Sequence, residues 1–494
     1  MMRQEVSVGA DSKVAAALPT HRGLYYGGAW REPAGGYGET LNPATGRTLG
    51  RVAEANRADV DAAVHSAHTA FLEWRRWRPR DRGALLKKVA AVLREHAEEL
   101  ALLDAANCGN PVKAMIRDGY DGPDYIDFFA GLASEAKGDV TPMGEDILNL
   151  TVQEPYGVCA RIVAYNHPYM FAAMKIGAPL VTGNTVIIKP PPQAPLSALR
   201  MFELIEGLLP PGVLNLLLGG RECGEAMSAH PLTPVVTLVG SVESGRAVAR
   251  TCAERLKHVV LELGGKNGLI IYPDADIPKA IEGALKGMNF TWCGQSCGST
   301  SRLFVHESLY ETVLQGVLAG IGHYKPGIPT EMDTTMGAII SRPQLDKVLR
   351  YIDIAKQEGA RLVAGGGLPR DPALAGGFFV EPTVFTDVSM DMRIAKEEIF
   401  GPILSVIRWS DEESMFEQVN RVDYGLTASI YTTSLANAHR AARRVQSGYV
   451  WVNNAGPHFV GVPFGGYKQS GIGREESIEE LYTFTQTKNI HITL

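Results

Sequence analysis

The sequence predicts an α/β protein with two separate parallel sheets. Short runs rich in β-branched residues alternate with helix-like segments from about residue 158, which is the pattern of parallel strands joined by helices. A second alternating region begins near residue 264. The chain has 494 residues. Because one hydrophobic core stops growing well below this length, we expect two large domains.

The first part of the chain is predicted to hold a tail, short strands and two helices. Residues 1–22 have mixed charges and no apolar core, so we expect a flexible tail. Residues 24–52 are rich in Gly, Pro and turn formers, which indicates short strands. The composition and apolar spacing of residues 57–77 and 80–107 predict two helices.

Two further boundaries follow from the alternating regions. The first domain is predicted to comprise residues 23–136 and 155–263, with strands at 158–163, 185–189, 213–218, 235–239 and 259–261. The second is predicted over residues 264–470, with strands at 268–272, 301–305 and 404–409 and helices at 277–289 and 309–321. Reactive groups from both domains are therefore expected to meet in a cleft between them.

The composition excludes several classes of protein. Hydrophobic residues make up 45% of the chain, charged residues 21%, and the net charge is −6, so nothing favours nucleic acid or an anionic membrane as a partner. No apolar run approaches the roughly 20 residues of a membrane span. Six cysteines are few for this length and predict reduced thiols in the cytoplasm. Cys293 and Cys297 have no second pair or nearby His, so we expect no metal.

One cysteine and one glutamate are the best candidates for reactive groups. Cys297 has small polar neighbours, including Ser296 and Gly298, that leave room beside the sulfur. Glu262 follows an apolar run and precedes two glycines, which places it at a strand end, where functional groups collect. The ordinary alternatives are a small buried side chain for the Cys and a surface salt bridge for the Glu. Together they supply a nucleophile and a base for water.

Several short motifs occur in a fixed order between about residue 25 and residue 489. They are Asn-Pro-Ala-Thr-Gly at 42–46, Tyr-Asn-His-Pro at 165–168, Gly-Asn-Thr-Val at 183–186, Lys-Pro at 189–190, Gly-Ser at 240–241, Glu-Leu-Gly-Gly-Lys at 262–266, Gly-Gln-Ser-Cys at 294–297, Glu-Ile-Phe-Gly-Pro at 398–402, Trp-Val-Asn at 451–453 and Pro-Phe-Gly-Gly at 463–466. Through them the chain resembles the aldehyde dehydrogenase superfamily. The resemblance implies two Rossmann-like parallel α/β domains, for cofactor and catalysis, plus a small antiparallel β oligomerisation arm.

The resemblance implies NAD(P)-dependent, non-acylating oxidation of an aldehyde to a carboxylic acid. Cys297 would attack the aldehyde to form a thiohemiacetal, and the Asn166 side chain would stabilise its oxyanion together with the Cys297 backbone N–H. Hydride transfer to the nicotinamide would leave a thioester, and Glu262 would activate the water that hydrolyses it. The ordinary alternative for Asn166 is an Asx turn before Pro168.

The cofactor site is expected at strand ends of the first domain. Gly240 and Ser241 lie between a predicted strand and helix, whose N-terminus would offer N–H groups to a pyrophosphate; an ordinary cap by Ser241 is the alternative. Gly220 precedes another predicted helix and matches the dinucleotide fingerprint only loosely. The resemblance adds Lys189 at the adenosine ribose, and also Glu398, Phe400 and Lys175.

Position 192 departs from the family pattern. NAD-preferring members often carry a Glu three residues after the lysine that corresponds to Lys189, where it bonds both ribose hydroxyls. This chain has Pro192 instead. Losing the carboxylate removes the repulsion that would exclude a 2′-phosphate, so NADP stays open. NAD is still the expected cofactor, because no Arg that could bind a 2′-phosphate lies beside Pro192.

The resemblance also outlines a substrate pocket. Its predicted lining residues are His167, Met170, Phe171, Met174, Trp292, Ser296, His458 and Phe459. They are mostly aromatic or soft, with no cluster of Arg for a charged tail, so we expect an uncharged aromatic or medium-length aldehyde. Core packing is the ordinary alternative for each apolar residue.

The same residues bear on two alternative functions, an acylating enzyme and a catalytically silent protein, and on the oligomeric state. An acylating, coenzyme A-dependent semialdehyde dehydrogenase usually lacks the base at the Glu262 position, and a catalytically silent member would not need Cys297, Glu262 and Asn166 together. Residues 137–154 and 471–494 correspond to the arm, which in the family adds strands to a neighbouring subunit. Because free edge strands favour such pairing, we expect a homodimer or homotetramer.

Overall fold

The structure, a computed structural model, describes residues 12–493. Its α-helices are α1 Ser12–Ala17, α2 Arg57–Trp74, α3 Pro79–Glu95, α4 Ala97–Cys108, α5 Val112–Gly131, α6 Pro168–Met174, α7 Gly177–Val181, α8 Leu196–Leu204, α9 Arg221–Ala229, α10 Val242–Ala253, α11 Ile277–Gly287, α12 Tyr310–Ile321, α13 Arg342–Gln357, α14 Arg393–Lys396, α15 Glu412–Asn420, α16 Leu435–Arg444 and α17 Glu479–Thr483. Short 3-10 helices cover Phe290–Trp292, Glu307–Leu309 and Pro372–Leu374. No helix in this part of the chain is long and apolar enough to cross a membrane.

The strands form two large sheets and three small ones. They are β1 Leu24–Tyr26, β2 Ala29–Arg31, β3 Tyr37–Leu41, β4 Thr48–Ala53, β5 Val140–Pro142, β6 Ile147–Pro155, β7 Val158–Ile162, β8 Thr185–Lys189, β9 Leu214–Leu216, β10 Val235–Val239, β11 His258–Glu262, β12 Gly268–Ile271, β13 Arg302–His306, β14 Arg361–Ala364, β15 Thr383–Thr386, β16 Ile403–Trp409, β17 Tyr424–Gly425, β18 Thr427–Tyr431, β19 Tyr449–Val452, β20 Tyr467–Lys468, β21 Gly471–Ile472 and β22 Thr485–Thr493.

The first large sheet has eight strands in the order β2-β1-β9-β8-β7-β10-β11-β21. Its five inner strands, β9 to β11 in that order, run parallel, while β1 and β21 pair antiparallel at the two sides. Strands β8 and β10 are buried along their whole length. Helices therefore cover both faces, as expected for parallel strands that read as continuous apolar runs.

The second large sheet has seven strands in the order β14-β15-β16-β13-β12-β18-β19. All pairs are parallel except β14 with β15. Separate apolar clusters lie against it, one of them including Phe304 and Ile352 and the other Val305 and Val317. The predicted α/β class with two parallel sheets and a small antiparallel sheet is confirmed.

The helices differ from prediction in one region. The predicted helix at 80–107 is two helices, α3 and α4, that meet at His96. Helix α5 was not predicted, because it contains Gly119, Gly122 and Pro123, which disfavour helices. An added Cβ at Gly119 would lie 2.5 Å from the carbonyl oxygen of Ala97. Close packing against α4 therefore requires glycine there and overrides its low helix propensity.

The predicted flexible tail is wrong for its C-terminal part. Residues 12–17 form helix α1, in which Val14 and Ala17 are buried and Val14 packs into the first domain's core. The apolar side chains of this short helix pack against the rest of the domain, and the composition of the segment did not indicate this packing. The rest of the predicted tail, residues 1–11, lies outside the described residues.

The predicted arm is also divided differently. Strands β22, β6 and β5 form a three-stranded antiparallel sheet, with Thr485–Thr493 paired along its length to Ile147–Pro155. However, Gly471–Ile472 pairs with Leu261 and Glu262 in the first large sheet. Of the predicted arm segment 471–494, only Thr485–Thr493 therefore belongs to the small sheet within the described residues.

A buried ion network joins the segment between these two strands to the first sheet. Arg161, on β7, donates hydrogen bonds to Glu475 at 2.8 Å, to Glu480 at 3.3 Å and to Thr237 on β10 at 3.1 Å. Lys175 donates to Glu475 at 2.5 Å. All four charged members, Arg161, Lys175, Glu475 and Glu480, are buried. Each charge therefore depends on the others for the solvation it has lost.

Replacing Glu480 with Ala should destabilise the protein strongly. The change leaves Arg161 buried with one fewer carboxylate, and breaking a buried pair in this way costs about 3 kcal/mol. Denaturant unfolding followed by fluorescence measures the effect. The matched control is Glu479→Ala, because Glu479 is exposed and next in sequence. Equal midpoints for the two variants would contradict a stabilising role for the network.

Candidate active site

Glu262 lies at the carboxyl end of the first sheet. It is the last residue of β11 and is paired with Val239 of β10 on one side and with Gly471 of β21 on the other. The chain leaves β10 through Gly240, whose N–H donates to the carbonyl of Glu262 at 3.1 Å. Strand pairing on both sides thus fixes the backbone of Glu262 at the carboxyl end of the sheet.

The environment of Glu262 favours a carboxyl group that titrates near neutrality. Burial raises the pKa of Glu262 to about 7, although the positive charge of Lys175 opposes this rise. Within the described residues, one of its carboxyl oxygens has no hydrogen-bond partner. A carboxylate with a pKa near the working pH is well suited to take a proton from water.

Cys297 lies on a tightly held loop between α11 and β13. The Asn267 side chain donates to the carbonyl of Cys297 at 2.7 Å and to that of Ser299 at 3.0 Å. An added Cβ at Gly265 would lie 2.5 Å from the Cys297 carbonyl oxygen, so the close approach requires glycine. The Gln295 side chain accepts the Ile340 N–H at 3.1 Å. These contacts fix the backbone of the loop.

The Cys297 side chain differs from every other cysteine of the chain. It is partly exposed, whereas the remaining five are buried. Enclosure by protein atoms and the neighbouring Glu262 carboxyl raise the pKa of the Cys297 thiol well above its ordinary value. Cys293 is fully buried, and its thiol donates to the Gly337 carbonyl at 3.0 Å. The structure therefore brings Cys297, and not Cys293, to Glu262.

Asn166 approaches the same loop from the first domain. On one side the ring of Tyr165 packs edge-on against Phe400, and on the other His167 packs against Trp292. The Asn110 side chain donates to the Asn166 carbonyl at 2.7 Å, which holds its backbone. In the part of the chain that the structure describes, no hydrogen bond uses the Asn166 side-chain amide. That amide is free to act as a donor.

Two predicted cofactor residues, Lys189 and Gly220, lie near each other at or beyond the carboxyl ends of β8 and β9. Lys189 ends β8, is buried, and donates to the Pro190 carbonyl at 3.3 Å. Burial lowers the pKa of Lys189, and attraction to Glu54 is one of the opposing effects. Glu54 also accepts the Gly220 N–H at 3.1 Å, just before α9. Glu54 therefore places a carboxylate at this corner, which the sequence analysis missed.

The other predicted cofactor residues fall into two groups. Ser241 caps α10, where its hydroxyl accepts the Ser244 N–H at 3.2 Å. Glu398 and Phe400 line a small cleft beside the Cys297 loop, with Gly265 and Ser296 among the other lining residues. The Gly265 N–H donates to Glu398 at 3.0 Å.

Lys175, which the family resemblance implies as a cofactor residue, lies in the buried ion network; its cofactor role stays a prediction. Its ammonium group is buried and pairs with Glu475 in the ion network. Burial is the largest effect on Lys175 and lowers its pKa, but the attractions to Glu475, Glu480 and Glu262 together raise the pKa overall. A buried amine takes the nearest carboxylate as partner, so Lys175 acts on Glu262 as a nearby positive charge.

The predicted substrate residues lie in three settings. His167 forms a ring cluster with Phe171 and Trp292, while Ser296 accepts the Gly298 N–H at 3.3 Å. Met174 is buried in the core of the first sheet, as is most of Phe171, so core packing accounts for Met174. Met170 is partly buried and Phe459 is exposed.

His458 pairs with an unpredicted carboxylate. Its Nδ1 lies 3.3 Å from Glu476, which also accepts the Tyr125 hydroxyl at 2.8 Å. Burial tends to raise the pKa of Glu476, but the positive charge of His458 is the largest of the effects that lower it overall. The His458 ring also lies 4.3 Å from that of Phe464.

The family of the chain follows from a comparison with family models. Residues 30–490 match the model of the aldehyde dehydrogenase family. The chain belongs to the aldehyde dehydrogenase family. This match covers the second large sheet, the first large sheet apart from β1 and the start of β2, and Cys297, Glu262 and Asn166.

Relatives and solved structures agree over the full length. An aldehyde dehydrogenase named tropH from Talaromyces stipitatus is 50% identical, covering 97% of this chain and 95% of the relative. A betaine aldehyde dehydrogenase from Brucella anthropi is 39% identical over 95% of this chain and 97% of the relative. The NAD+ complex of an aldehyde dehydrogenase from Bacillus cereus superimposes with a TM-score of 0.95 at 38% identity, covering 98% of this chain and 99% of that chain.

Several residues of this aldehyde dehydrogenase site were missed in the sequence. Asp118, Arg161 and Glu476 are charged groups that the fold buries beside predicted residues. Two signals were available: Arg161 interrupts an apolar strand, and Glu475 and Glu476 form an acidic pair after a Gly-rich stretch. Asp118 carried no such signal, because its partner is distant in sequence.

One group of potential metal ligands occurs among residues 12–493, formed by Asp61, His65 and His230. It lies at α2 and α9, not at Cys297. The Nδ1 of His230 accepts the Leu232 N–H at 3.1 Å, so in the neutral ring the proton is on Nε2, which faces Asp61 at 3.2 Å. A metal bound at Nε2 would have to displace that proton. Hydrogen bonding alone therefore accounts for the closeness of the three side chains. The absence of a metal stays a prediction.

Replacing Glu262 with Gln should make Cys297 more reactive. The change removes a negative charge that raises the pKa of the thiol, so the thiolate fraction at about pH 8 increases and alkylation by iodoacetamide accelerates several-fold. Peptide mass spectrometry measures the rate at each cysteine. Buried Cys293 serves as internal reference and Glu243→Gln as an exposed-residue control. Slower alkylation of Cys297 would instead mean that Glu262 deprotonates it.

Proposed function

We propose that this aldehyde dehydrogenase oxidises an aldehyde to the carboxylic acid through a thioester on Cys297. The Cys297 sulfur, as the thiolate, bonds to the aldehyde carbon, and the carbonyl oxygen takes the negative charge as an oxyanion that the Asn166 amide stabilises. Loss of hydride from that carbon leaves the thioester. Glu262 then takes a proton from water, the resulting hydroxide adds to the carbon, and cleavage of the C–S bond releases the acid and the Cys297 sulfur.

The arrangement of Cys297 and Glu262 carries this proposal. The one partly exposed cysteine lies beside a buried carboxyl whose pKa is about 7. A base poised near neutrality serves water and is not needed if coenzyme A takes the acyl group. The pair therefore supports hydrolysis over the acylating alternative, and it supports an active enzyme over a silent one.

We propose NAD as the cofactor, held by Lys189, Gly220, Gly240, Ser241, Glu398 and Phe400. NAD would supply the acceptor for the hydride. Lys189 fits such a group: it is a buried amine whose one hydrogen bond among residues 12–493 is a 3.3 Å contact to a carbonyl, and ribose hydroxyls would add acceptors. Ser241 starts a helix of twelve residues, whose N-terminus suits a pyrophosphate. The NAD+ complex of the Bacillus cereus relative supports this choice.

The substrate is proposed to be an uncharged aromatic or medium-length aldehyde. Three rings, those of His167, Phe171 and Trp292, lie together next to Asn166. Aromatic rings pack well against another flat ring, at centroid distances of about 5 Å. His458 and Phe459, on the loop after β19, are further aromatic side chains proposed to line the pocket.

We propose a homodimer or homotetramer in the cytoplasm. The three-stranded sheet of β5, β6 and β22 presents exposed apolar side chains, Val140, Met143, Leu148 and Ile492. Its strand β5 has a free edge, since it pairs only with β6 in that sheet. A second copy of the chain would cover both the edge and the apolar surface; light scattering distinguishes the two assemblies.

Replacing Cys297 with Ala should abolish aldehyde oxidation. The sulfur is the proposed nucleophile and does not hold the cofactor, so NAD binding measured by calorimetry should persist. The matched control is Cys293→Ala, which removes a buried thiol four residues away and should retain most activity. Production of NADH from an aldehyde panel, without coenzyme A, measures oxidation. If the Cys293 variant were inactive and the Cys297 variant active, the nucleophile would be Cys293 and the proposal would be wrong.

Replacing Pro192 with Glu should disfavour NADP. A carboxylate beside the adenosine ribose would repel a 2′-phosphate, so kcat/KM with NADP should fall about tenfold more than with NAD. Lys189→Ala should weaken both cofactors, because the shared ribose loses a donor. An unchanged NADP to NAD ratio in the Pro192 variant would mean that the ribose does not lie at this position.

A further inference from the structure

His167 is held by a carboxylate from a different helix. It directly follows Asn166 and precedes α6, and its Nδ1 lies 2.6 Å from Oδ2 of Asp118 on α5. Both side chains are largely enclosed, with exposed fractions of 16% for His167 and 7% for Asp118. Because a carboxylate only accepts, Asp118 keeps a proton on Nδ1 in either charge state of the ring.

The other nitrogen of His167 is free. Within residues 12–493 no hydrogen bond uses Nε2, and the ring keeps 16% of its surface exposed, so this nitrogen is open to a partner from outside the chain. The ring centroid lies 5.5 Å from that of Phe171 and 5.8 Å from that of Trp292. His167 therefore offers one polar atom from an aromatic surface, one residue away from the proposed oxyanion donor.

We propose that His167 binds an oxygen substituent of the substrate, so that the substrate is an oxygenated aromatic aldehyde carrying a hydroxyl or ether oxygen on its ring. This inference rests on the proposed function and narrows its substrate class. The partly exposed ring of Trp292 would hold the aromatic ring, and Nε2 of His167, whose own ring packs against Phe171, would pair with its oxygen. Asp118 is the positioning residue, because it acts through His167.

The pairing depends on the charge of His167 in a defined way. Burial tends to lower the pKa of His167, but attraction to Asp118, with smaller effects of Asp104 and Asp121, raises it overall. Below that pKa, Nε2 carries a proton and donates to a hydroxyl or an ether oxygen. Above it, Nε2 is only an acceptor and can pair with a hydroxyl but not with an ether.

The test compares benzaldehyde with the isomers of hydroxybenzaldehyde and methoxybenzaldehyde. The full-length enzyme with NAD should show a kcat/KM about tenfold higher for at least one hydroxyl isomer than for benzaldehyde, as expected for a hydrogen bond to a charged group. The preference for the matching methoxy isomer should decline as the pH rises through the pKa of His167. Taking the ratio to benzaldehyde at each pH removes the titration of Cys297 and Glu262.

Two variants separate binding from folding. In His167→Asn the amide nitrogen can still donate to Asp118, but nothing replaces Nε2, so the preference for oxygenated substrates should fall to about one. In Asp118→Asn the attraction that raises the His167 pKa is lost, so the methoxy preference should disappear at lower pH. The matched control is Asp61→Asn, since Asp61 pairs with His230 on the surface; it should keep the wild-type ratios.

The outcomes distinguish this inference from the proposed function. Oxidation of benzaldehyde with no preference for any oxygenated isomer would overturn the inference and leave the proposed function standing. A preference that survives His167→Asn would also overturn it. Failure to oxidise any aldehyde would overturn both.

Discussion

The buried ion network is the constraint on which the rest of the site depends. Arg161 and Lys175 come from the first domain, while Glu475 and Glu480 come from the segment that follows the second sheet. Two positive and two negative charges balance. Because none of the four can regain water without separating these segments, the network fixes where the end of the chain lies.

That balance explains the chemistry of Glu262. The network neutralises itself, so Glu262 is an additional carboxyl in the same enclosed region, and burial raises its pKa to about 7. The strand pairing of Gly471 beside Glu262 places the network directly behind the reactive carboxyl. A structural device that joins distant segments thereby also sets the proton affinity of the proposed base.

Much of the fold and the centre of the site could be predicted from local signals. Apolar runs predicted the parallel strands, and Ser241 and Glu262 were placed correctly at strand ends. Helix α5 was missed because its glycines and proline oppose helix formation unless packing against α4 requires them. The helix in residues 12–17 was missed because a short segment is stable only through the surface that it covers.

The sequence by itself determined the α/β class and the order of the elements, because these depend on periodicity and on motifs within a few residues. It also singled out Cys297 and Glu262, and through the family resemblance Asn166, as the residues proposed for the chemistry. Only the tertiary structure decided which carboxylate pairs with which lysine or histidine side chain. Lys175 with Glu475, His167 with Asp118 and His458 with Glu476 are all pairs between different segments. The physical reason is that a buried charge is stabilised by whatever lies within a few ångströms, and chain folding alone sets that distance.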